Sequence, residues 1–138
     1  MPDFDEVTAI ATEAGLAIMR VYDRGDAIEI TTKGDDSPLT EADLAANEVI
    51  TSGLLAIAPE IPVVSEEGNV GDPKGAPYCW LVDPLDGTKE FIKRNGMFTV
   101  NIALMRKTGD RWKPVFGVVH APVTGITWRG GVSVPAER

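Results

Sequence analysis

The sequence lacks the features that mark several large classes of protein. Its single cysteine, Cys79, rules out an internal disulfide and is consistent with a reducing compartment. No apolar run approaches the roughly 20 residues that a transmembrane helix needs. Residues 1–6 are acidic and lack the basic segment with which a secretory signal begins. We therefore expect a cytoplasmic protein without a transmembrane segment.

Basic residues are scarce as well. Lysine and arginine total 13 against 21 aspartates and glutamates, which gives a formal net charge of -8. A protein that binds a nucleic-acid polymer needs clustered cations for the phosphate backbone, so this composition argues against such a partner. Acidic residues grouped in motifs indicate instead that a divalent cation stands between the protein and an anionic substrate.

Apolar periodicity predicts two helices followed mainly by strands. The first helix is expected from Asp3, which forms a plausible cap pair with Glu6, to about Tyr22. The second is expected to start at Thr40, to have Ile57 in its apolar stripe and to be ended by Pro59. Loops are predicted at residues 33–38 and 68–77, where turn-forming residues are frequent. Strands are predicted at residues 27–32, 61–65, 78–82, 98–105, 114–120 and 126–128. This order is typical of a single layered α+β domain.

Two aspartates follow the predicted strand at residues 78–82. They are Asp83 and Asp86, separated by Pro84 and Leu85, and the sequence predicts a tight turn that brings both carboxylates close together. Close carboxylates repel each other unless a proton or a cation intervenes. Magnesium accepts carboxylate and carbonyl oxygens, so both aspartates and the Leu85 carbonyl are candidate ligands. From this segment alone, an ordinary surface turn is an equally good interpretation.

The next residues are candidates for binding phosphate. Gly87 permits a left-handed backbone and close approach, and Thr88 is expected to open a short helix. The first turn of a helix offers free amide groups and the positive end of the helix dipole. The amides of Gly87 and Thr88 are therefore predicted to hold a phosphate group.

Two further acidic positions are candidates, each with a simpler alternative. Glu66 and Glu67 follow a short apolar strand and form either a solvated charge pair or, through Glu66, part of a metal site. Asp43 lies three residues after Thr40, which is the spacing of a helix-capping pair. The functional alternative is that Asp43 and Thr88 orient a metal-bound water as the nucleophile. Local spacing does not separate these interpretations, and both can hold.

Other noticeable residues are expected to have structural roles. Lys33 is interpreted as a solvated loop lysine, with contact to a phosphate as the alternative. His120 has no cysteine or histidine partner at the spacing of metal ligands. Cys79, Trp80 and Phe98 are predicted to lie in the core.

Three ordered motifs give the sequence a specific resemblance. Residues 37–43 read Ser-Pro-Leu-Thr-Glu-Ala-Asp, residues 64–67 read Val-Ser-Glu-Glu, and residues 80–91 read Trp-Leu-Val-Asp-Pro-Leu-Asp-Gly-Thr-Lys-Glu-Phe. Together they resemble the inositol monophosphatase superfamily of lithium-sensitive, magnesium-dependent phosphatases. Residues 89–92 and 98–104 are most similar to its CysQ branch. Members of that branch are 3'(2'),5'-bisphosphate nucleotidases, which convert 3'-phosphoadenosine 5'-phosphate to AMP and phosphate.

The resemblance implies a fold, a reaction and roles for individual residues. The fold is the layered α/β sandwich of sugar phosphatases, with two helices packed on a mainly antiparallel sheet. Inositol monophosphate is the alternative substrate, and a non-catalytic metal- and phosphate-binding fragment is the alternative function. The implied magnesium ligands are Glu66, Asp83, Asp86 and the Leu85 carbonyl; Asp43 and Thr88 activate the water; and Glu66, Leu85, Asp86, Gly87 and Thr88 contact the substrate.

The resemblance runs from the first helix to about Gly131. Family members continue into a second α/β half that carries a Trp-Asp-x-Ala-Ala-type motif, whose aspartate completes a second metal site. We therefore expect residues 1–138 to form one N-terminal domain without the family's C-terminal domain, with reduced activity. Sheet surface left uncovered by that half favours a homodimer. Peripheral association with the inner membrane is the alternative to a purely cytoplasmic location.

Overall fold

Three helices and eight strands make up most of the computed structural model, which describes residues 2–24, 30–33, 38–131 and 134–137. The helices are α1 (Phe4–Tyr22), α2 (Glu41–Ile57) and α3 (Thr88–Lys93). The strands are β1 (Ile30–Thr32), β2 (Pro38–Thr40), β3 (Val63–Ser65), β4 (Tyr78–Asp86), β5 (Thr99–Thr108), β6 (Arg111–Ala121), β7 (Ile126–Gly131) and β8 (Val134–Glu137).

Both long helices begin at the caps that the sequence predicts. The Asp3 carboxylate accepts a hydrogen bond of 2.8 Å from the Asp5 amide at the start of α1. Thr40 and Asp43 form a reciprocal capping box at the start of α2. Every fourth residue of α2 is buried, which explains its apolar periodicity. The predicted boundaries of both helices are therefore confirmed to within a residue.

Six strands form one sheet in the order β3-β4-β5-β6-β7-β8. Only the β3–β4 pair is parallel, and the other four pairs are antiparallel. Helix α1 contacts β5 and β6, while α2 contacts β3 and β4. Strands β1 and β2 form a separate antiparallel pair. The layered α+β architecture and the mainly antiparallel sheet are confirmed.

The hydrophobic core lies between the two helices and the sheet. Strand β4 contributes Trp80, which is fully buried, and β5 contributes Leu104, its cross-strand partner. Because side chains alternate between the faces of a strand, the neighbouring Leu81 points away from the helices, and it is 43% exposed. The predicted burial of Trp80, Phe98 and Cys79 is confirmed.

His120 links the sheet to α1. It is buried, and its Nδ1 lies 2.8 Å from the Thr127 hydroxyl oxygen on the neighbouring strand. A methyl group at Gly15 of α1 would lie only 2.7 Å from the imidazole Cδ2, so the glycine allows the helix to approach the ring. Burial lowers the pKa of His120. These contacts agree with the predicted structural role.

The observed strands differ most from the predicted ones at β2, β4 and β8. Strand β2 begins at Pro38, inside the predicted loop, because it pairs with β1 through contacts that local sequence does not reveal. Strand β4 continues past Val82 to Asp86, and β8 has no predicted counterpart. Residues 27–29 of the first predicted strand lie outside the described residues. None of the helices within the described residues is long and apolar enough to cross a membrane.

Candidate active site at the end of strand β4

The two aspartates lie on an irregular stretch of β4 rather than in the predicted tight turn. Asp83 pairs with Asn101 and Asp86 pairs with Thr99, and the register shifts between these pairs. Pro84 lies within the shift, where its missing amide proton costs no regular ladder bond. The prediction that the strand ends at residue 82 is therefore wrong, because β4 continues to Asp86. Pairing with β5 holds both aspartates at the end of the strand.

Asn101 of β5 is a polar neighbour that the sequence reasoning missed. Its Nδ2 donates a hydrogen bond of 3.0 Å to the Asp86 carboxylate. Its Oδ1 accepts a hydrogen bond of 3.0 Å from the Thr99 hydroxyl, which fixes the direction of the amide. The available signal was an asparagine between the apolar residues Val100 and Ile102 of a strand, where this residue type is uncommon.

The carboxylate of Asp83 is in an unfavourable electrostatic environment. Its pKa is raised to about 6, first because of burial and then because of the negative charges of Asp86 and Glu66. The positive charge of Lys33 and a hydrogen bond from the Leu85 backbone lower it in part. The charges of Asp86 and Glu66 thus disfavour the ionised form of Asp83, an effect that a bound cation would offset.

The donor chemistry of this cluster suits magnesium. The carboxylates of Glu66, Asp83 and Asp86 and the carbonyl of Leu85 are all hard oxygen donors. Within the described ranges, however, no three Asp, Glu, His or Cys side chains are placed as a group that could hold a metal ion. Glu66 and Asp86 are exposed, whereas Asp83 is half-buried. The chemical type of the donors fits the ion, and the assignment of each ligand stays a prediction.

Asp43 connects the start of α2 to the start of α3. The residue is fully buried, and its Oδ2 accepts hydrogen bonds from the Thr40 amide (2.9 Å) and hydroxyl (2.6 Å). Its Oδ1 accepts a hydrogen bond of 2.9 Å from the Thr88 hydroxyl. The capping interpretation is confirmed, and the same carboxylate also contacts the predicted catalytic threonine. The catalytic role of the pair stays a prediction.

Gly87 provides the turn between β4 and α3. Its φ of 98° lies in the left-handed region that the sequence predicted. A side chain there would also clash, since a Cβ would lie 2.9 Å from the Met97 carbonyl oxygen. This turn places Thr88 at the first position of α3, within reach of Asp43. The predicted phosphate contacts of the Gly87 and Thr88 amides stay predictions.

Lys33 and Glu67 form an ion pair beside these carboxylates. The Lys33 Nζ lies 2.9 Å from the Glu67 Oε2, and the two side chains are 23% and 4% exposed. Burial lowers the pKa of Lys33, but the hydrogen bond and charge of Glu67, with Asp43 and Glu66, raise it overall. The interpretations of Lys33 as a solvated loop lysine and of Glu67 as half of a solvated charge pair are therefore wrong.

An open cavity of about 510 Å³ adjoins the cluster on the face of the sheet opposite the helices. Glu66 and Asp83 line one part of it, and apolar residues of the central strands, among them Leu81 and Ala103, line the rest. The space next to the carboxylates can therefore accept a small molecule that has both a charged and an apolar part.

Comparisons with known proteins identify the family of this chain. The inositol monophosphatase family profile matches residues 3–134. The 3'(2'),5'-bisphosphate nucleotidase CysQ of Shigella flexneri is 52% identical over 130 residues, which cover 90% of this chain and 50% of that protein. The chain thus spans about half the length of the curated relatives it matches.

Solved structures of the same fold agree with this match. CysQ from Bacteroides thetaiotaomicron is 40% identical, with a TM-score of 0.71 over 94% of this chain and 46% of that one. The extragenic suppressor protein suhB from Bartonella henselae is 26% identical, with a TM-score of 0.85 over 96% of this chain and 50% of that one. Because the family profile extends over nearly the whole sequence, the chain belongs to the inositol monophosphatase family.

Proposed function

We propose that this protein is a magnesium-dependent phosphatase that hydrolyses 3'(2')-phosphoadenosine 5'-phosphate to AMP and phosphate. The observation that carries the proposal is the 2.9 Å hydrogen bond between Thr88 and the buried Asp43, which joins two motifs 45 residues apart. The 52% identity to a CysQ nucleotidase supports the choice of substrate. Since the chain spans half of that relative, the activity of the whole protein is part of the proposal.

Magnesium is the cofactor that the donor set favours. Glu66, Asp83, Asp86 and the Leu85 carbonyl would hold the ion. The pKa of Asp83 is raised first by burial and then by the negative charges of Asp86 and Glu66, and a cation would offset both effects. A magnesium ion bound there supplies positive charge that neutralises the phosphoryl group and eases the loss of a proton from water. Phosphoryl transfer depends mainly on such charge neutralisation and on positioning.

Asp43 and Thr88 are proposed to position the attacking water. The Thr88 hydroxyl donates a hydrogen bond to Asp43. Its oxygen lone pairs are therefore available to accept a hydrogen bond from that water. The water is thereby oriented toward the phosphorus atom. The new O–P bond forms as the bond to the nucleotide oxygen breaks. One proton of the water ends on the departing oxygen, which becomes a hydroxyl of AMP, and the other stays on the hydrogen phosphate.

Replacing Thr88 by valine and by serine tests this arrangement with matched changes. Valine removes the hydroxyl and should lower kcat by about 100-fold or more, a size typical of a lost transition-state contact. Serine keeps the hydroxyl and should stay within about tenfold of the wild type by the same reasoning. The assay measures phosphate release from 3'-phosphoadenosine 5'-phosphate with magnesium, with and without lithium, which we expect to inhibit.

Equal activity of the Thr88→Val and Thr88→Ser variants would contradict the proposed role of the hydroxyl. Failure of the wild-type chain to release phosphate in a magnesium-dependent manner would contradict the phosphatase proposal for this chain. Inositol monophosphate assayed in parallel distinguishes the substrates, since faster turnover of that ester would overturn the nucleotide assignment.

Self-association through the uncovered sheet face is a separate proposal. Leu81, Val119 and Trp128 are large apolar side chains with 36–43% of their surface exposed. Exposed apolar patches of this kind favour contact between protein chains. Sedimentation equilibrium should show a homodimer that Leu81→Lys weakens, whereas a wild-type monomer at every concentration would contradict the proposal.

A cytoplasmic location is likewise proposed and is testable by cell fractionation.

A further inference from the structure

The two aspartates of strand β4 share a face of the sheet only because the strand is irregular. Residues three positions apart in a regular strand point to opposite faces, since side chains alternate. Asp83 is nevertheless paired with Asn101, and Asp86 is paired with Thr99. These two residues of β5 are two positions apart and therefore point to the same face. The register shift thus adds one residue to β4, as in a β-bulge, and turns both aspartates to that face.

The bulge places the Asp86 carboxylate but does not by itself fix its orientation. The residue is exposed and lies at the last position of β4. An exposed side chain without a fixed partner samples several rotamers, and binding a cation must then restrict it to one. Asp86 has such a partner, because its Oδ2 accepts a hydrogen bond of 3.0 Å from Asn101 Nδ2. The asparagine can therefore hold the carboxylate in one orientation before a ligand binds.

The orientation of the Asn101 amide is itself determined. A carboxylate only accepts hydrogen bonds, so the amide must turn its NH2 group, and not its oxygen, towards Asp86. The amide oxygen accepts a hydrogen bond of 3.0 Å from the Thr99 hydroxyl. The backbone of Asn101 is paired with Asp83 on one side and with Val119 on the other. The hydrogen bonds thus run from an internal strand of the sheet, through one fixed amide, to a single oxygen of Asp86.

This arrangement suits one divalent cation better than another. The hydrogen bond engages Oδ2 of Asp86, and the second carboxylate oxygen can bind a cation. Magnesium demands a nearly ideal octahedron of oxygen ligands, whereas calcium accepts a larger and more variable set in a flexible arrangement. A carboxylate that is held in one orientation therefore favours magnesium more than it favours calcium.

We propose that Asn101 is a positioning residue that orients the Asp86 carboxylate for magnesium, that the Thr99 hydroxyl fixes the asparagine amide, and that the pair raises the selectivity of the site for magnesium over calcium. This inference rests on the proposed function, because it takes Asp86 as a magnesium ligand. The change in selectivity is its distinguishing feature. A residue that only stabilised the fold would affect the binding of both cations alike.

Calorimetric titrations of the whole chain with magnesium chloride and with calcium chloride test the selectivity. Asn101→Leu keeps the approximate shape of the side chain and removes both of its hydrogen bonds. It should weaken magnesium binding by about tenfold, a size typical of residues that orient metal ligands. Calcium binding should weaken by no more than about threefold, because calcium coordination adapts. Equal weakening for both cations, or a magnesium affinity within about twofold of the wild type, would overturn the proposal.

Thr99→Val tests the second hydrogen bond with a matched control. It removes the hydroxyl that holds the amide and should weaken magnesium binding by about threefold, as for one neutral hydrogen bond. In the Asn101→Leu background the same change should have no further effect, since the hydroxyl acts through the amide. Thr108→Val makes this substitution at the exposed end of the same strand and should leave magnesium binding unchanged. Additive effects of Thr99→Val and Asn101→Leu would contradict the proposed series of hydrogen bonds.

The same titrations separate positioning from folding. Unfolded molecules lower the stoichiometry of binding and leave the dissociation constant of the folded molecules unchanged. Leucine is at least as favourable as asparagine at a half-buried strand position, so Asn101→Leu should resist urea as well as the wild type does. A loss of stability with an unchanged dissociation constant would assign Asn101 to the fold alone. If Asn101→Leu does not fold, Thr99→Val decides, and an unchanged magnesium affinity in that variant overturns the proposal.

The two proposals fail in distinguishable ways. The inference alone is overturned if the wild-type chain binds magnesium and releases phosphate but Asn101→Leu keeps the wild-type selectivity between the two cations. The phosphatase proposal alone is overturned if the selectivity falls as expected but the wild-type chain shows no turnover. A wild-type chain that binds no magnesium overturns both.

Discussion

Strand β4 contains two contrasting regions. One is the apolar part that faces the helices, and the other is the acidic end of the strand. Trp80 and Val82 of β4 are buried in the apolar core beneath α1 and α2. Immediately afterwards, the pKa of Asp83 is raised first by burial of its carboxylate and then by the like charges of Asp86 and Glu66. Burial of apolar side chains in the first region stabilises the fold. In the second region the partly buried Asp83 carboxylate destabilises the fold, and the stability of the first region compensates for this cost. The difference suggests that the core provides the stability that allows the acidic cluster to exist.

The largest effect on stability is expected from a leucine-to-alanine substitution, which can be made on either face of the sheet for comparison. Leu104→Ala removes a fully buried side chain from the helix-covered face and should lower the free energy of unfolding by about 2–5 kcal/mol. Leu81→Ala, on the opposite face and 43% exposed, should cost less than about 1 kcal/mol. Urea denaturation measures both. Equal losses would show that the uncovered face is packed as tightly as the core.

Asp43 belongs to both regions, so its replacement tests whether they are separable. Asp43→Asn should lower phosphatase turnover by about 100-fold, because the amide cannot accept all the hydrogen bonds that the carboxylate accepts. The same loss should reduce the free energy of unfolding by about 1–3 kcal/mol. Thr40→Ala is the control: it removes the cap at a cost of about 1 kcal/mol but leaves the contact with Thr88. Comparable loss of turnover in both variants would assign Asp43 to the fold alone.

The close packing of α1 on the sheet predicts a smaller effect at Gly15. A methyl group there would lie 2.7 Å from Cδ2 and 2.9 Å from Nε2 of the buried His120. Gly15→Ala should therefore destabilise the protein by about 1 kcal/mol, since the strain exceeds the gain in helix propensity. Gly117→Ala in β6 should be closer to neutral, since the nearest atom to a Cβ there is the Ile102 carbonyl oxygen at 3.7 Å. Thermal unfolding of the two variants checks the difference, and an unchanged midpoint for Gly15→Ala would contradict it.

The smallest expected effect concerns the charge on Asp83. Its folded-state pKa of about 6 lies above the 3.8 of an unperturbed aspartate, so the unfolded chain releases this proton at lower pH. The resulting loss of stability is absent below about pH 4, grows between pH 3.8 and about 6, and is complete above. In the presence of a chelator, Asp83→Asn should therefore stabilise the protein at neutral pH by on the order of 1 kcal/mol, allowing for solvent screening.

Denaturation of the Asp83→Asn variant at about pH 4 provides the internal control, because both side chains are then neutral in the folded protein. Asp72→Asn, in the exposed 68–77 loop, controls for the change in net charge. A gain that is the same at acidic and neutral pH would show that the effect does not come from ionisation of Asp83.

Local sequence was sufficient wherever local chemistry decides the structure. The caps at Asp3 and Thr40 and the left-handed Gly87 were predicted correctly, since each depends on a few neighbouring residues. The form of β4 was not predicted, because pairing with β5 carries the strand through Pro84 to Asp86. Strand β2 was missed for the same reason, because its pairing with the separate strand β1 defines it.

At the candidate site, too, some residues could be identified from the sequence and others only from the structure. The acidic and threonine residues of the motifs were found by residue type and spacing, and the Asp43–Thr88 contact agrees with the pairing that was expected. Asn101 was missed because only the alignment of β5 beside β4 places its amide against Asp86. Lys33 was misassigned because the buried position of its partner Glu67 depends on hydrogen bonds to α2 through Ser65.

The sequence by itself determined the helices, the family resemblance and the chemical types available at the site. Periodicity, caps and motif order are properties of neighbouring residues, so they can be read without coordinates. Only the tertiary structure decided which charges face one another, because strand register and helix packing bring together residues that are far apart in the chain. For this protein, that step placed the Lys33 ammonium against the Glu67 carboxylate and the Asp43 carboxylate against Thr88.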